Sequence, residues 1–299
     1  MKQISSRKAA LMVIASAVLW GTYGAFVTVI TDLGIGRNAQ IFLRFLMTFL
    51  PVGVLMRLME PASFRIRRKD FWLFPANGVC SLVFFSACYT AAIRLTKIAT
   101  AAALLYTAPV IVMVLSVLLF GEKLSRRKIF CVLMSVVGCA FASGIGSDLI
   151  GAGGAGRLSA AGILTGLGAG LGYALYSIFS RAILNRGYAV FTNIFYSFIA
   201  ADAIFLILSL MDGSFFDLAE HPGAAVLGLV CGAVTGFGSY VLYTFGMEKM
   251  ETSRAAQLAT IEPVTAAVIG ALLFRQPISG FEVLGIALVV GSVILMNTK

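Results

Sequence analysis

Apolar residues along this chain gather into blocks of about 20, separated by short polar breaks that hold most of the charge. Ten blocks are readable, at about 9–30, 39–59, 72–93, 98–120, 128–146, 159–180, 189–210, 222–245, 256–274 and 280–297. A helix of about 20 residues crosses a ~30 Å hydrocarbon core at 1.5 Å per residue. The predicted fold is therefore all-α, a polytopic membrane protein with ten transmembrane helices. The first block follows a basic start (Lys2, Arg7, Lys8) in the manner of a signal peptide. It is too long for one, lacks a small-residue cleavage site, and is read as retained.

The chain aligns with itself. A shift of 154 residues lays 78–143 over 232–297 without a gap. Ala101, Ala102, Leu104, Pro109 and Val110 then match Ala255, Ala256, Leu258, Pro263 and Val264, while Leu118-Leu-Phe120 matches Leu272-Leu-Phe274 and Ser125 matches Ser279. At a shift of 153, Trp20 and Tyr23 fall on Tyr173 and Tyr176, and Arg44 falls on Ser197. The expected organisation is a five-helix repeat over 1–150, a Gly-rich linker at 151–158 and a second five-helix repeat over 159–299. Five is odd, so the second repeat enters the membrane from the opposite side. Many secondary transporters use such an inverted repeat for alternating access around a midplane site.

Composition agrees with a membrane chain: 60% of residues are hydrophobic and 12% charged, against roughly 25% charged in soluble domains. The net charge of +10 does not imply nucleic acid, because the basic residues sit in short loops with no soluble basic domain. With the N-terminus inside, inner segments hold 17 Lys and Arg and outer segments five (Arg37, Arg94, Lys97, Arg157 and Arg275). The positive-inside rule then places both termini and the 57–70 loop in the cytoplasm of a cell-membrane protein, with 147–158 and 212–221 outside. The five cysteines all lie in apolar segments without a Cys-x-x-Cys pair, and the one histidine, His221, is in a loop. No metal site, cofactor or enzymatic constellation is expected. Gly151-Ala-Gly-Gly-Ala-Gly156 matches a nucleotide-binding pattern, but no βαβ unit surrounds it.

Several motifs resemble the drug/metabolite transporter superfamily in its ten-helix EamA-type branch. They are Leu19-Trp-Gly21, Leu43-Arg-Phe45, Tyr106-Thr-Ala-Pro-Val110 leading to Phe120-Gly-Glu-Lys-Leu124, and Ile261-Glu-Pro-Val264 leading to Leu273-Phe-Arg-Gln-Pro277. The second half reads Arg275-Gln276 where Gly-Glu is expected, at a loop position taken as structural. The resemblance implies a transporter and leaves its cargo open.

Three charges lie deep in spans: Arg44 in span 2, Asp202 in span 7 and Glu262 in span 9. A carboxyl at such depth costs about 2.5–3.5 kcal/mol on insertion scales and must find a proton or a positive partner. Glu262 is the leading candidate for substrate binding and proton coupling, with Asp202 the second proton-coupling candidate, near Asn193. Arg44 is expected either to pair with Glu262 or Asp202 or to contact a substrate carboxylate. Trp20, Tyr23, Tyr89, Tyr106, Tyr173, Tyr176 and Tyr240 are candidate substrate-binding aromatics. Mid-span tyrosines need a hydroxyl partner, and rings around an acid suit an ammonium group. Pro109 and Pro263 occupy equivalent sites and are expected hinges, each freeing the carbonyl four residues earlier. Gly162, Gly166, Gly170 and Gly168, Gly172 form close-packing rows in span 6.

The expected function is a secondary transporter for a small polar metabolite, an amino acid or amine-bearing compound, with protons as a possible coupling ion. The expected partners are that substrate and the bilayer, the protein acting as a monomer or homodimer. The alternatives are export of lipophilic cationic drugs or of neutral metabolites, and, further off, a non-transport structural role.

Overall fold

A computed structural model describes residues 6–96, 98–144 and 159–297. The linker at 151–158 and the extreme termini, on which the expected domain boundary and orientation depend, lie outside the described residues, as do Lys97 and Arg157. Hydrocarbon offers no partner for a bare N–H or C=O, so spanning segments of this chain satisfy their backbone internally as helices. Among the described residues there are helices and no strands.

Among the described residues, nine helices are long and apolar enough to cross a membrane: α1 (Ser6–Asp32), α2 (Arg37–Met59), α3 (Arg68–Leu95), α4 (Ile98–Phe120), α6 (Ala160–Asn185), α7 (Val190–Met211), α8 (Pro222–Glu248), α9 (Thr252–Phe274) and α10 (Gly280–Asn297). The fifth predicted span holds α5 (Arg126–Ala142), whose 17 described helical residues fall short of that length. A short helix, Ser214–Glu220, joins α7 to α8. Leu118 and Leu119 on α4 are 73% and 60% exposed, and their counterparts Leu272 and Leu273 on α9 are 75% and 69% exposed. Water would not tolerate such stripes, whereas lipid does.

Several helices are interrupted, and each interruption has a chemical cause. α4 leaves its helix at Tyr106–Thr107 and restarts at Ala108, with Pro109 in the new first turn. α9 leaves at Ala259–Thr260 and restarts at Ile261, two residues before Pro263. Proline cannot donate an amide but is tolerated in a first turn, so the break precedes the ring in both places. Threonine caps the loose carbonyls: Thr107 Oγ1 donates to Leu104 O at 2.7 Å and Thr260 Oγ1 to Gln257 O at 2.6 Å. Thr22 does the same to Leu19 O at 2.7 Å, where α1 breaks. The carbonyl of Ala259, expected to be freed by Pro263, accepts the Glu262 amide at 3.0 Å.

Widened π-helical turns occupy Gly78–Val83 in α3 and Gly232–Gly238 in α8. Their starts are 232 − 78 = 154 residues apart, the offset at which the sequence matches itself. At the same offset, Gly121 ends α4 with φ +66° and Arg275 ends α9 with φ +52°. Arg275 is the one non-glycine residue of positive φ among those described, and a side chain there costs about 1 kcal/mol or more. Arg275→Gly should therefore raise stability by about 1 kcal/mol, read as a higher melting temperature in detergent. An unchanged or lower melting temperature would show that the Arg275 side chain offsets its backbone strain.

The helices assemble into two compact units, Met1–Val83 with Phe179–Lys249 and Phe84–Ile178 with Met250–Lys299. Each draws on both halves of the chain. In the first unit, α2 packs along α7 and against the π turn of α8, and α1 packs along the second half of α8. Ile30, Ile35, Ala39, Ala224 and Cys231 form one apolar core and Leu73, Phe74 and Ile183 another. Asn77 donates to Asn193 Oδ1 and to Ser197 Oγ, both at 3.1 Å, and Asn193 donates to Ser180 Oγ at 2.9 Å. In the second unit, α5 lies along α10, where a Cβ on Gly138 would sit 2.9 Å from the Gly285 carbonyl. The glycine rows predicted in span 6 face α3 and α4: a Cβ on Gly170 would meet the carbonyls of Leu104 and Leu105 at 3.1 and 3.2 Å, and one on Gly172 the Phe85 amide at 2.8 Å.

Candidate functional site

The second unit holds the acidic centre. Glu262 lies in the first turn of the restarted half of α9, so the break at Ala259–Thr260 sets where its side chain points. It is half-buried, and its carboxylate accepts the Tyr173 hydroxyl at 2.9 Å. Tyr173 meets Phe85 edge-on at 6.0 Å between ring centres, and Phe85 stacks on Tyr89 at 5.7 Å. Tyr106 lies in the α4 break, and Cys139 on α5 sits 3.7 Å from the carbonyl of Thr260, in the α9 break. Tyr89, Tyr106 and Tyr173 are each half-buried. One carboxylate thus sits beside a tyrosine donor and a run of aromatic faces, an arrangement chemically suited to a proton or an ammonium group. Tyr176, one turn beyond Tyr173, is 5% exposed. Pro109 and Pro263, both buried, stand just past the two breaks that shape this centre.

The first unit holds the cationic centre. Arg44 is 8% exposed. Its guanidinium carbon lies 4.1 Å from the Tyr23 ring centre and 5.9 Å from that of Tyr240, and a terminal nitrogen donates to the Thr235 carbonyl at 3.1 Å. Thr235 belongs to the π turn of α8, so that widened turn presents the acceptor. Behind it, Trp20 packs on Tyr240 and Tyr243 at 5.1 and 5.2 Å, and Phe198 on Tyr240 at 4.6 Å. A carbonyl dipole and two ring faces thus lie against the guanidinium. Asp202 is 5% exposed, and its Oδ1 has no hydrogen-bond partner among the described residues. Asn193 serves the Asn77 network.

Two features escaped the sequence reading. The first is a glycine row on α8. A Cβ on Gly228 would meet the Leu43 side chain at 2.6 Å, one on Gly232 the Leu43 carbonyl at 2.9 Å, and one on Gly236 the Arg44 carbonyl at 2.8 Å. The four-residue spacing of Gly228, Gly232 and Gly236 was readable as a small-residue stripe. The second is an ionic cluster at the start of α9, buried at Glu122 and Lys128 and exposed at Glu251. Glu122 accepts the Thr252 amide at 2.6 Å, and Lys128 Nζ bridges Glu122 at 3.1 Å and Glu251 at 2.9 Å. Burial alone would push the Glu122 carboxyl up. Hydrogen bonds from Ser253 and Lys128, the Lys128 charge and the Thr252 amide outweigh it and hold the group below its ordinary value. Among the described residues, no group of His, Cys, Asp and Glu is arranged to hold a metal ion.

Comparison with known proteins gives a consistent result. The profile described as the EamA-like transporter family matches residues 7–144 and 160–298. A protein of Archaeoglobus fulgidus named an uncharacterized transporter is 30% identical over 285 residues, covering 95% of this chain and 94% of that one. The uncharacterized transporter YvbV of Bacillus subtilis is 20% identical, covering 100% of this chain and 94% of its own. A solved structure titled only as the crystal structure of a protein superposes with a TM-score of 0.79 at 19% identity, over 98% of this chain and 97% of that one. That likeness establishes the fold.

Proposed function

The chain belongs to the EamA-like transporter family, and from that premise we propose that it is a proton-driven secondary transporter of a small amine-bearing metabolite, such as an amino acid. In this reading it works by alternating access in the cytoplasmic membrane, with both termini inside, as the distribution of basic residues suggests. The observation that carries the proposal is the Glu262 carboxylate, half-buried in a span and hydrogen-bonded to Tyr173 beside Tyr106, Phe85 and Tyr89. An acid placed in a membrane span is costly, and exchanging a proton for a cationic group is a task that a carboxylate performs well. Aromatic faces hold an ammonium by their quadrupoles and add about 0.5–2 kcal/mol each when desolvated. Arg44, framed by Tyr23 and Tyr240, supplies a second centre able to engage an anionic group.

The test begins with a thermal-shift screen of purified protein against amino acids, polyamines, quaternary amines and nucleosides. The stabilising compounds then go into flux assays in proteoliposomes. The expected result is saturable uptake of an amine-bearing compound, stimulated by substrate on the opposite side and by an imposed proton gradient. Linear, non-saturable flux without counterflow would make the protein a channel, and stabilisation only by compounds without an amine would remove the proposed role of Glu262.

A further inference from the structure

We propose that Glu122, Lys128 and Glu251 form a releasable clasp, a gate that holds the first segment of α9 shut at the end of the second unit predicted to face the cytoplasm. Three separate stretches of chain meet at one carboxylate. Glu122 lies in the link between α4 and α5, with its side chain 9% exposed. One of its oxygens accepts the Thr252 amide at 2.6 Å, and the other accepts the Ser253 amide at 3.3 Å together with the Ser253 hydroxyl. Lys128, on the first turn of α5 and 6% exposed in its side chain, binds the same oxygen at 3.1 Å and reaches Glu251 at 2.9 Å. Ser125 caps α5 by accepting the Lys128 amide at 3.1 Å, which fixes the lysine over the acid. The carboxylate therefore satisfies two amides at the start of α9 and carries its charge at the positive end of that helix.

What the clasp holds is a short rod. Residues Thr252–Leu258 are helical, and the helix then breaks at Ala259–Thr260, two residues before Glu262. Ser253 and Gln257 are buried on this rod, as is Thr260 in the break, and Gln257 donates to Ser292 on α10 at 3.0 Å. A rod pinned at one end and interrupted at the other moves as a unit when the pin is withdrawn, and its far end abuts the break that precedes Glu262. The equivalent place in the other half is built differently. Position 276 is Gln, and Glu282, at the position of Lys128, lies in the first turn of α10 and accepts the Ser279 amide at 2.6 Å. A charged clasp on one side alone biases a two-state carrier toward closure on that side.

The clasp is a property of the fold, and its role in flux rests on the alternating-access reading above, so the experiment has two arms. Spin labels at positions 123 and 250, in a background with the native cysteines replaced, report the separation of the α4–α5 link from the start of α9. The protein as purified should give one short distance at neutral pH. Glu122→Gln keeps the shape and removes the charge, and about half of the molecules should shift to a longer distance without substrate. The Glu122 carboxyl is held low by its partners, so its contribution is present above the ordinary carboxyl range and is lost as pH falls through the lowered value. Acid should therefore lengthen the distance in the parent protein and not in the Gln variant. Lys128 and Glu251 are the charged groups facing it. In the flux arm, Glu122→Gln should slow uphill uptake about tenfold while half-saturation changes less than about twofold. An unchanged distance distribution in folded Glu122→Gln overturns the clasp whatever the flux shows. A lengthened distance with normal uptake leaves the contact real and removes its role as a gate. If Glu122→Gln does not fold, Glu251→Gln removes one of the two acids on Lys128 and should give a smaller shift in the same direction. No shift there also overturns the proposal.

Discussion

On the proton-coupled reading proposed above, Glu262→Gln should abolish accumulation driven by a proton gradient while the protein inserts and folds as before. The amide keeps an oxygen in place to accept the Tyr173 hydroxyl, now 2.9 Å from the carboxylate, so packing and hydrogen bonding survive. What disappears is the charge. The matching position in the first half is Ala108, so the fold does not require an acid there. A hydrogen bond to a charged group contributes about 1.5–3 kcal/mol, and each 1.4 kcal/mol is tenfold in affinity. Loss of a bound ammonium's counter-charge should therefore weaken its binding about 10- to 100-fold, and without a titratable group the proton gradient has nothing to act on. Uptake in proteoliposomes with an acid exterior checks this against the same vesicles without a gradient. Wild-type accumulation in the Gln variant would reduce Glu262 to a packing residue and turn attention to Asp202, the other acid buried in a span.

Hydropathy runs made the ten helices and the deep charges legible, because burying about 20 apolar residues in lipid leaves a signal of that length. Glu262 stood out for the same reason, and its tyrosine neighbours could be named because a mid-span hydroxyl needs a partner. Which ring meets which acid was not legible. Tyr173 and Glu262 are 89 residues apart, and no periodicity carries that information. Arg44 illustrates the harder limit. Its acceptor is the carbonyl of Thr235, a group every residue has, presented by a π turn that the sequence did not mark. The helix breaks beside Pro109 and Pro263 were anticipated as hinges, yet the residues that leave the helix precede the prolines, and threonine hydroxyls cap the loose carbonyls. Glu122 was visible within a family motif and read as loop structure. Its partners Thr252 and Ser253 lie 130 and 131 residues away, which hid the cluster.

Gly236→Val disrupts the first unit outright, and the reason lies in how Arg44 is held. Gly228, Gly232 and Gly236 form a strip on α8 along which α2 runs so closely that its backbone is the neighbour. A Cβ on Gly236 would stand 2.8 Å from the Arg44 carbonyl and collide with the Thr48 hydroxyl. That hydroxyl is already committed, donating to the same carbonyl at 2.7 Å. A flexible side chain could swing aside, but a helix carbonyl cannot, so α2 as a whole must move off α8. Overpacking of a core costs about 1–3 kcal/mol where side chains can yield, and here about 3 kcal/mol is expected because backbone opposes backbone. The shift also pulls the guanidinium from the Thr235 carbonyl, leaving a buried charge short of a partner. The variant should appear as a markedly lower melting temperature and poor recovery from the membrane. Gly24→Ala is the control, since a Cβ there meets nothing within 4 Å. Equal stability of Gly236→Val and Gly24→Ala would show that α2 and α8 can part without loss, and that the Thr235 carbonyl is not what holds Arg44.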